Sequence, residues 1–146
     1  MDGPAIIHYS GTLAWYLKGK RHRTDGPAIE RINGMREWWY MGEKHREDGP
    51  AIYFENGTNP MERWYRNGQL HRIDGPANIV KDGSRRLWYK DGRKHRPDGP
   101  AVEYNYNNVK YPFTTDCWYL EGRRVGPYEV LGDTPEAFAW VMKYGR

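Results

Sequence analysis

The sequence has little of several features that mark common classes of protein. Its single cysteine, Cys117, excludes an intrachain disulfide and fits a reducing compartment. No run approaches the ~18 apolar residues of a membrane-spanning helix, and the first residues show no charged-then-apolar signal segment. We therefore expect a soluble, cytoplasmic protein.

Aliphatic residues are also scarce, and aromatic residues take their place. The 146-residue chain contains seven Trp and twelve Tyr. Disordered segments are depleted in aromatics, so this composition predicts a folded chain, and its length predicts one domain spanning 1–146. The formal net charge is +4, with 23 basic against 19 acidic residues, which only weakly favours an anionic partner.

A ten-residue signature recurs along the chain, as GKRHRTDGPA, GEKHREDGPA, GQLHRIDGPA and GRKHRPDGPA. Nine residues after each Asp of the DGPA unit stands Gly or Asn, the residue types that tolerate positive φ. We therefore expect a left-handed turn position at Gly11, Gly34, Gly57, Gly83 and Asn107.

Tryptophan provides a second fixed point, because Gly follows it after four residues and His-Arg after seven. The repeated positions are Trp15, Trp38, Trp64, Trp88 and Trp118; His22, His45, His71 and His95; Arg23, Arg46, Arg72 and Arg96; and Asp25, Asp48, Asp74 and Asp98. Length varies only between the turn Gly and the next Trp. Such a period is typical of a repeat architecture.

The segments between these fixed points are short and rich in β-branched and aromatic residues, with a turn every 8 to 12 residues. They predict a mostly β fold, a single-sheet antiparallel meander or solenoid of about five β-hairpin repeats over residues 2–128, with two strands per repeat. The first strand has no cap, so its edge is expected to pair with another chain, as in a homodimer.

The last residues depart from the repeat. Thr134 followed by Pro135 predicts an N-cap and a first helical turn, and thus a short helix at about 135–144. Phe138, Val141 and Met142 then share one face. We expect the segment 129–146 to fold over the last repeat as a cap.

The recurring WYLKG, WYRNG, WYKDG and WYLEG segments resemble MORN-type repeats, which are stacked β-hairpins, and their bacterial and phage variants. The resemblance covers roughly residues 2–128, although the inserted HRxDGPA element departs from the usual MORN spacing. It implies a scaffold for protein contacts, encoded by a phage or a bacterium. It implies no catalytic residue, since the family shares no catalytic site.

The repeated polar residues are interpreted as structural. Equivalent residues of successive two-strand repeats stand roughly 9 to 10 Å apart, whereas zinc ligands lie about 2.0 to 2.1 Å from one ion. The repeated unit has no Ser or Cys nucleophile, and Cys117 is expected to be a small buried residue. We expect Asp to cap the turn, Arg and His to bridge repeats, and Trp to form a core stripe. Arg is expected to bond the Asp carboxylate either within a repeat or across to the next. We expect no enzymatic activity, metal or cofactor.

Function is then expected where the repeats differ. Two insertions, TNPMER at 58–63 and NVKYPFTTDC at 108–117, are expected to protrude from one edge. Tyr106, Lys110, Tyr111 and Phe113 are the predicted partner-binding residues, unless Phe113 folds back over the sheet. The hypothesis is a non-enzymatic protein-binding module. The resemblance extends it to a phage-encoded inhibitor or modulator of a host defence protein, in the cytoplasm of the host bacterium.

The alternative is binding of nucleic acid or a phosphorylated ligand. Stacked rings with interleaved Arg bind single strands, and positive charge is concentrated in the C-terminal half. The candidate phosphate-binding residues are Arg85, Arg86, Arg93, Lys94, Arg123 and Arg124.

Overall fold

Short strands alternate with turns along most of the chain. The computed structural model describes residues 6–56, 60–80, 84–104 and 116–144. Within them, nine strands form one antiparallel sheet, in which each strand pairs with the next along the list. These strands are β1 (Ile6–Ile7), β2 (Leu13–Ala14), β5 (Ile29–Glu30), β6 (Arg36–Glu37), β9 (Ile52–Phe54), β10 (Met61–Arg63), β13 (Asn78–Val80), β14 (Arg85–Leu87) and β17 (Val102–Tyr104).

A second hairpin interrupts the meander in each repeat and forms a two-stranded sheet of its own. In the described residues these small hairpins are β3–β4 (Tyr16–Leu17, Lys20–Arg21), β7–β8 (Trp39–Tyr40, Glu43–Lys44), β11–β12 (Tyr65–Arg66, Gln69–Leu70), β15–β16 (Tyr89–Lys90, Arg93–Lys94) and β18–β19 (Trp118–Leu120, Arg123–Val125). The predicted antiparallel meander is confirmed. The expected two strands per repeat are too few, because the segment from Trp to His folds back on itself.

The small hairpins turn through two successive residues with positive φ. In the third, Asn67 has φ 48° and Gly68 has φ 73°. Positive φ at both central positions is the pattern of a type I′ turn, whose twist matches that of the flanking strands. In the large sheet, Gly11 and Gly34 also have positive φ, as predicted. The other three predicted turn positions, Gly57, Gly83 and Asn107, lie outside the described residues.

The core of the large sheet is a row of side chains that the register aligns across neighbouring strands. Ile29 is opposite Glu37, which is opposite Ile52, and further along Leu87 is opposite Val102. All five are buried. The buried carboxylate of Glu37 is satisfied, because it accepts hydrogen bonds from the Arg31 guanidinium at 2.7 Å and from Trp39 Nε1 at 3.2 Å.

The last three residues of the first insertion belong to the large sheet and not to a protruding loop. Residues Met61–Arg63 of the predicted TNPMER loop are strand β10, in register with Ile52–Phe54. The residues 57–59 lie outside the described part of the chain. The prediction that this whole insertion projects from the edge is therefore wrong for its last three residues.

The C-terminal segment forms two helices, α1 (Pro127–Leu131) and α2 (Pro135–Tyr144). The predicted helix and N-cap are confirmed, and the Thr134 hydroxyl accepts a hydrogen bond from the Ala137 N–H at 3.2 Å. Ala137 is buried, and the Trp140 ring meets the Trp118 ring of the last small hairpin edge-on, with centroids 5.6 Å apart. Phe138 and Met142 share one face of α2 as predicted, but this is not the face that packs against the rest of the chain.

Phe138 and Met142 are instead 59% and 72% exposed. Helix α2 packs on α1 and places Trp140 against Trp118, and Phe138 and Met142 lie on an exposed side of the helix. Helix α1 was not predicted. Its signal is Gly126-Pro127, with Glu129 three residues after Gly126, where the Glu129 carboxylate accepts the Gly126 N–H at 3.2 Å.

Candidate functional site

Each signature arginine lies between a Trp ring and a glycine of its own repeat. The Cζ atom of Arg46 is 4.0 Å from the centroid of the Trp38 ring. On its other side, a Cβ atom added to Gly49 would stand 2.7 Å from the same Cζ. The same arrangement holds Arg23 on Trp15, Arg72 on Trp64 and Arg96 on Trp88, at 4.0, 3.9 and 4.1 Å. The Gly of DGPA is therefore there because the guanidinium occupies the space of a side chain.

The same guanidinium bonds to the carboxylate and the proline of the DGPA unit. Arg46 Nε donates to Asp48 Oδ1 at 2.8 Å, and Nη1 donates to the Pro50 carbonyl at 3.4 Å. The hydrogen bond from Arg46, with its positive charge, holds the pKa of Asp48 below the ordinary value of 3.8. The pKa of Asp74 is lowered in the same way by Arg72. The Arg and Asp side chains thus neutralise each other within a repeat.

The signature histidines connect successive small hairpins. We call the connection between two successive small hairpins a joint. In each of the four joints, a backbone N–H of the later hairpin's turn donates to Nδ1 of the preceding His. The pairs are Met41 to His22, Asn67 to His45, Asp91 to His71 and Glu121 to His95, at 3.1 to 3.2 Å. Asp91 and Glu121 also bring carboxylates close to Nδ1, but the first joint has Met41 instead. The backbone N–H is therefore the contact that all four joints share.

Two backbone hydrogen bonds complete each joint. At the first, the Arg23 N–H donates to the Trp39 carbonyl at 3.2 Å and the Gly42 N–H donates to the Arg21 carbonyl at 2.8 Å. The other three joints repeat both bonds. The sequence predicts that Arg and His bridge repeats and leaves open whether Arg bonds Asp within a repeat or across to the next. In the structure His bridges them through its side chain, whereas Arg bridges them through its backbone and uses its side chain within the repeat.

Open grooves lie between successive copies of the ten-residue signature, and three of them are lined by equivalent residues of their repeats. Their floors contain Trp38, Trp64 and Trp88, and their volumes are about 780, 430 and 640 Å³. Neighbouring grooves share a wall: Arg46 and Glu47 line the first and second, and Arg72, Ile73 and Asp74 line the second and third. We call this continuous surface the channel.

At the rim of the channel the carboxylates are exposed to solvent, whereas the guanidinium groups are largely covered. The side chain of Asp48 is 82% exposed, whereas that of Arg46 is 25% exposed, because it lies under the Trp ring. Glu47, at 89%, adds a second exposed carboxylate beside the first groove. The residue two positions after the Trp also lines each groove and differs between them: Tyr40 in the first, Arg66 in the second and Lys90 in the third.

The small hairpins carry a column of alternating rings and cations on one face. Tyr16 is in register with Arg21, Trp39 with Lys44, and Tyr89 with Lys94. The cations also reach the next hairpin: Arg21 Cζ is 4.9 Å from the Trp39 ring centroid, Lys44 Nζ is 5.3 Å from that of Tyr65, and Lys94 Nζ is 4.7 Å from that of Tyr119. Leu70 replaces the cation in the third hairpin.

The six candidate phosphate-binding residues do not form one cluster by their positions in the fold. Arg85 and Arg86 lie on β14 of the large sheet, and as neighbours on a strand they point to opposite faces. The other four, Arg93, Lys94, Arg123 and Arg124, lie on the last two small hairpins. Of these, Arg123 donates to the Glu129 carboxylate at 2.8 Å, which also lowers the Glu129 pKa.

The predicted partner-binding residues Tyr106, Lys110, Tyr111 and Phe113 lie outside the described residues. The first described residues after them are Asp116, whose pKa is raised by burial although the Tyr104 N–H bonds to it, and Cys117. Cys117 is half-buried, and its backbone makes both hydrogen bonds of an antiparallel bridge with Val102 at 3.0 Å.

The channel itself was not predicted from the sequence. The structural interpretation of the signature accounts for its buried contacts but not for the residues between Arg and Asp. Those residues, Thr24, Glu47, Ile73 and Pro97, differ in every repeat and all line the channel. A search for variable residues inside the repeated motif would have found them.

The fold and the channel define a β-meander protein with a repeated, open groove. Comparisons with family models, curated proteins and solved structures found no match. Over the described ranges, no group of three or more His, Cys, Asp or Glu side chains is placed to hold a metal ion. In the same part of the chain, neither helix has the length and apolar character needed to cross a membrane.

Proposed function

We propose that this chain is a non-enzymatic protein-binding module and that the channel is its contact surface. The observation that carries the proposal is the succession of three grooves of one design that share their walls. A small molecule occupies one pocket, whereas a row of like grooves matches an elongated ligand such as a segment of another protein. The proposal extends the family resemblance, in which such repeats hold protein partners.

The use of the signature side chains also supports binding rather than catalysis. Arg46 is held by a ring, a carboxylate and a carbonyl, and His45 accepts a backbone N–H. These contacts hold the Arg and His side chains in place and form a rigid scaffold. A rigid scaffold positions variable residues for recognition. In this chain the variable residues are Glu47 and Ile73 within the channel, together with the predicted contacts at Tyr106 to Phe113.

The resemblance to small phage and bacterial proteins gives the proposal its most specific form. In that form the chain is a phage-encoded inhibitor or modulator that acts in the cytoplasm of the host bacterium, and the partner is a host defence protein.

The test is an affinity pull-down from lysate of the native host with three immobilised forms of the chain. One form is the wild type, one has residues 108–117 replaced by a short Gly turn, and one carries Glu47→Lys with Ile73→Asp. We expect one partner to be captured by the wild type and lost with the channel substitutions. A partner retained by both variants would contradict the assignment of the surface, and turnover of a small substrate with no partner captured would overturn the proposal.

A second candidate function is binding of a single-stranded nucleic acid. The observation that favours it is the column of rings and cations on the small hairpins, since bases stack on rings and Arg or Lys contacts the phosphates. Affinity for an oligonucleotide would then fall steeply as salt rises. Absence of retention on immobilised single-stranded DNA at low salt would eliminate this candidate.

A further inference from the structure

We propose, on the basis of the proposed function, that the channel binds a proline-rich segment in the polyproline II conformation. Every third side chain of the segment would enter one groove. A basic side chain would lie in the first groove and apolar side chains in the second and third.

The spacing of the grooves supports this conformation. Each repeat adds two strands to the large sheet, and adjacent strands lie about 4.7 to 4.9 Å apart, so successive grooves are roughly 9.4 to 9.8 Å apart. A polyproline II helix has three residues per turn and a rise of about 3.1 Å, so its side chains repeat on one side every ~9.3 Å. The groove spacing and the side-chain period of the polyproline II helix agree to within about half an ångström.

Other regular conformations fit the spacing less well. Side chains on one face of a β-strand repeat every ~6.6 Å, which does not match the groove spacing. An α-helix places i and i+7 on one face about 10.5 Å apart, which accumulates an error of roughly 2 Å over three grooves. A polyproline II segment also has no internal hydrogen bonds, so it can follow the twist of the sheet without breaking any.

Charge distinguishes the first groove from the others. Its rim carries Asp25, Glu47 and Asp48, and the residue two positions after its Trp is the uncharged Tyr40. The guanidinium groups that balance Asp25 and Asp48 are covered, with side chains only 20% and 25% exposed. This groove therefore presents negative charge and is complementary to a Lys or Arg side chain.

The second and third grooves favour apolar side chains. Ile73 stands in their shared wall with 86% of its surface exposed, and Pro97 lines the third groove. Glu47 and Asp74 are the exposed carboxylates of the second groove, which also contains Arg66. Asp74 and Asp98 are those of the third groove, which also contains Lys90. These two grooves thus combine an exposed aliphatic residue with a rim that is less negative than the rim of the first groove.

The probe is a nine-residue peptide, Arg-Pro-Pro-Leu-Pro-Pro-Leu-Pro-Pro, together with its reversed sequence, because the direction of the ligand is not specified. A control peptide of the same composition has Arg and Leu two residues apart. Binding is measured by titration calorimetry with the full chain. We expect one of the period-three peptides to bind at least about tenfold more tightly than the control. Equal binding of all three peptides, or none, would overturn the proposal.

Two substitutions test the assignment of grooves, each with a matched control of similar exposure outside the channel. Glu47→Lys is compared with Glu55→Lys, and Ile73→Asp with Ile32→Asp, where Ile32 is 85% exposed. We expect Glu47→Lys to weaken the Arg peptide about fivefold and to affect a peptide with Leu in place of Arg much less, although Glu47 also lines the second groove. Ile73→Asp should weaken both peptides about tenfold.

Loss of peptide binding in the control variants to the same extent would contradict the channel as the site. The proposed function fails separately from this inference. If the pull-down partner depends on Glu47 and Ile73 but the period-three peptides do not bind, protein binding stands and the polyproline II ligand is wrong.

Discussion

Substitution of Gly49 by Ala is expected to expel the guanidinium of Arg46 from its place on the Trp38 ring. The added Cβ atom would stand 2.7 Å from Arg46 Cζ, so the side chain must move. The movement itself is easy for a long side chain, and the loss lies in the contacts that it leaves. The backbone at Gly49 does not require positive φ, so no backbone strain adds to the effect.

The magnitude follows from those contacts. The cation–π contact contributes about 0.5–2 kcal/mol, the bond to the exposed Asp48 carboxylate about 0.2–1 kcal/mol, and the bond to the Pro50 carbonyl about 0.5–1.5 kcal/mol. The reduced entropy of the unfolded chain offsets about 0.4–1 kcal/mol. We therefore expect Gly49→Ala to lower the free energy of unfolding by about 1–2 kcal/mol, measured by urea denaturation followed by Trp fluorescence.

A double-mutant cycle with Arg46→Ala is the decisive control. In the Arg46→Ala background there is no guanidinium to expel, so Gly49→Ala should be close to neutral. The effect should also differ between repeats, because the distance from the added Cβ to the arginine Cζ differs. This distance is 2.7 Å at Gly99, as at Gly49, but 3.0 Å at Gly26 and 3.1 Å at Gly75. A cost of Gly49→Ala that is equal in both backgrounds would refute the stacking argument.

Three further outcomes are expected. Met41 has φ 48°, so Met41→Asn should raise the free energy of unfolding by about 0.5–1 kcal/mol in urea denaturation; an unchanged midpoint would contradict this. Because Arg46 lowers the pKa of Asp48, the stability from this pair is complete at neutral pH and is lost as the pH falls below 3.8; Asp48→Asn should flatten the acid side of the stability profile, and an unaltered profile would argue against the pairing. Ile7, 74% exposed on the edge strand β1, is expected to lie in a homodimer contact, so Ile7→Lys should shift the mass in light scattering towards the monomer; a wild-type chain that is already monomeric would remove this idea.

The large sheet could be predicted because its hairpins follow general rules. Strands rich in β-branched residues and turn residues such as Asn33-Gly34 specify a meander without knowledge of any distant contact. The small hairpins carry the same signal at Asn67-Gly68 and Asp91-Gly92, which are common type I′ pairs. Lys18, Met41 and Glu121 stand at the equivalent position in the other repeats, and these residue types do not indicate positive φ. The second turn of each repeat was therefore missed.

The channel could not be predicted because it depends on which atoms are covered. The sequence shows one His-Arg arginine and one DGPA aspartate in each signature, and it does not show that rings hide the guanidinium groups while the carboxylates remain exposed. The packing of α2 was missed for a similar reason. Helical periodicity predicts which residues share a face, but the contact of Trp140 with Trp118 decides which face is buried.

The three hydrogen bonds of each joint are the same from one hairpin to the next, and every arginine stack is complete within about a dozen consecutive residues. A whole unit could therefore be duplicated or deleted without new contacts having to evolve. Each duplication would add one groove to the row, so the number of units sets the length of the channel.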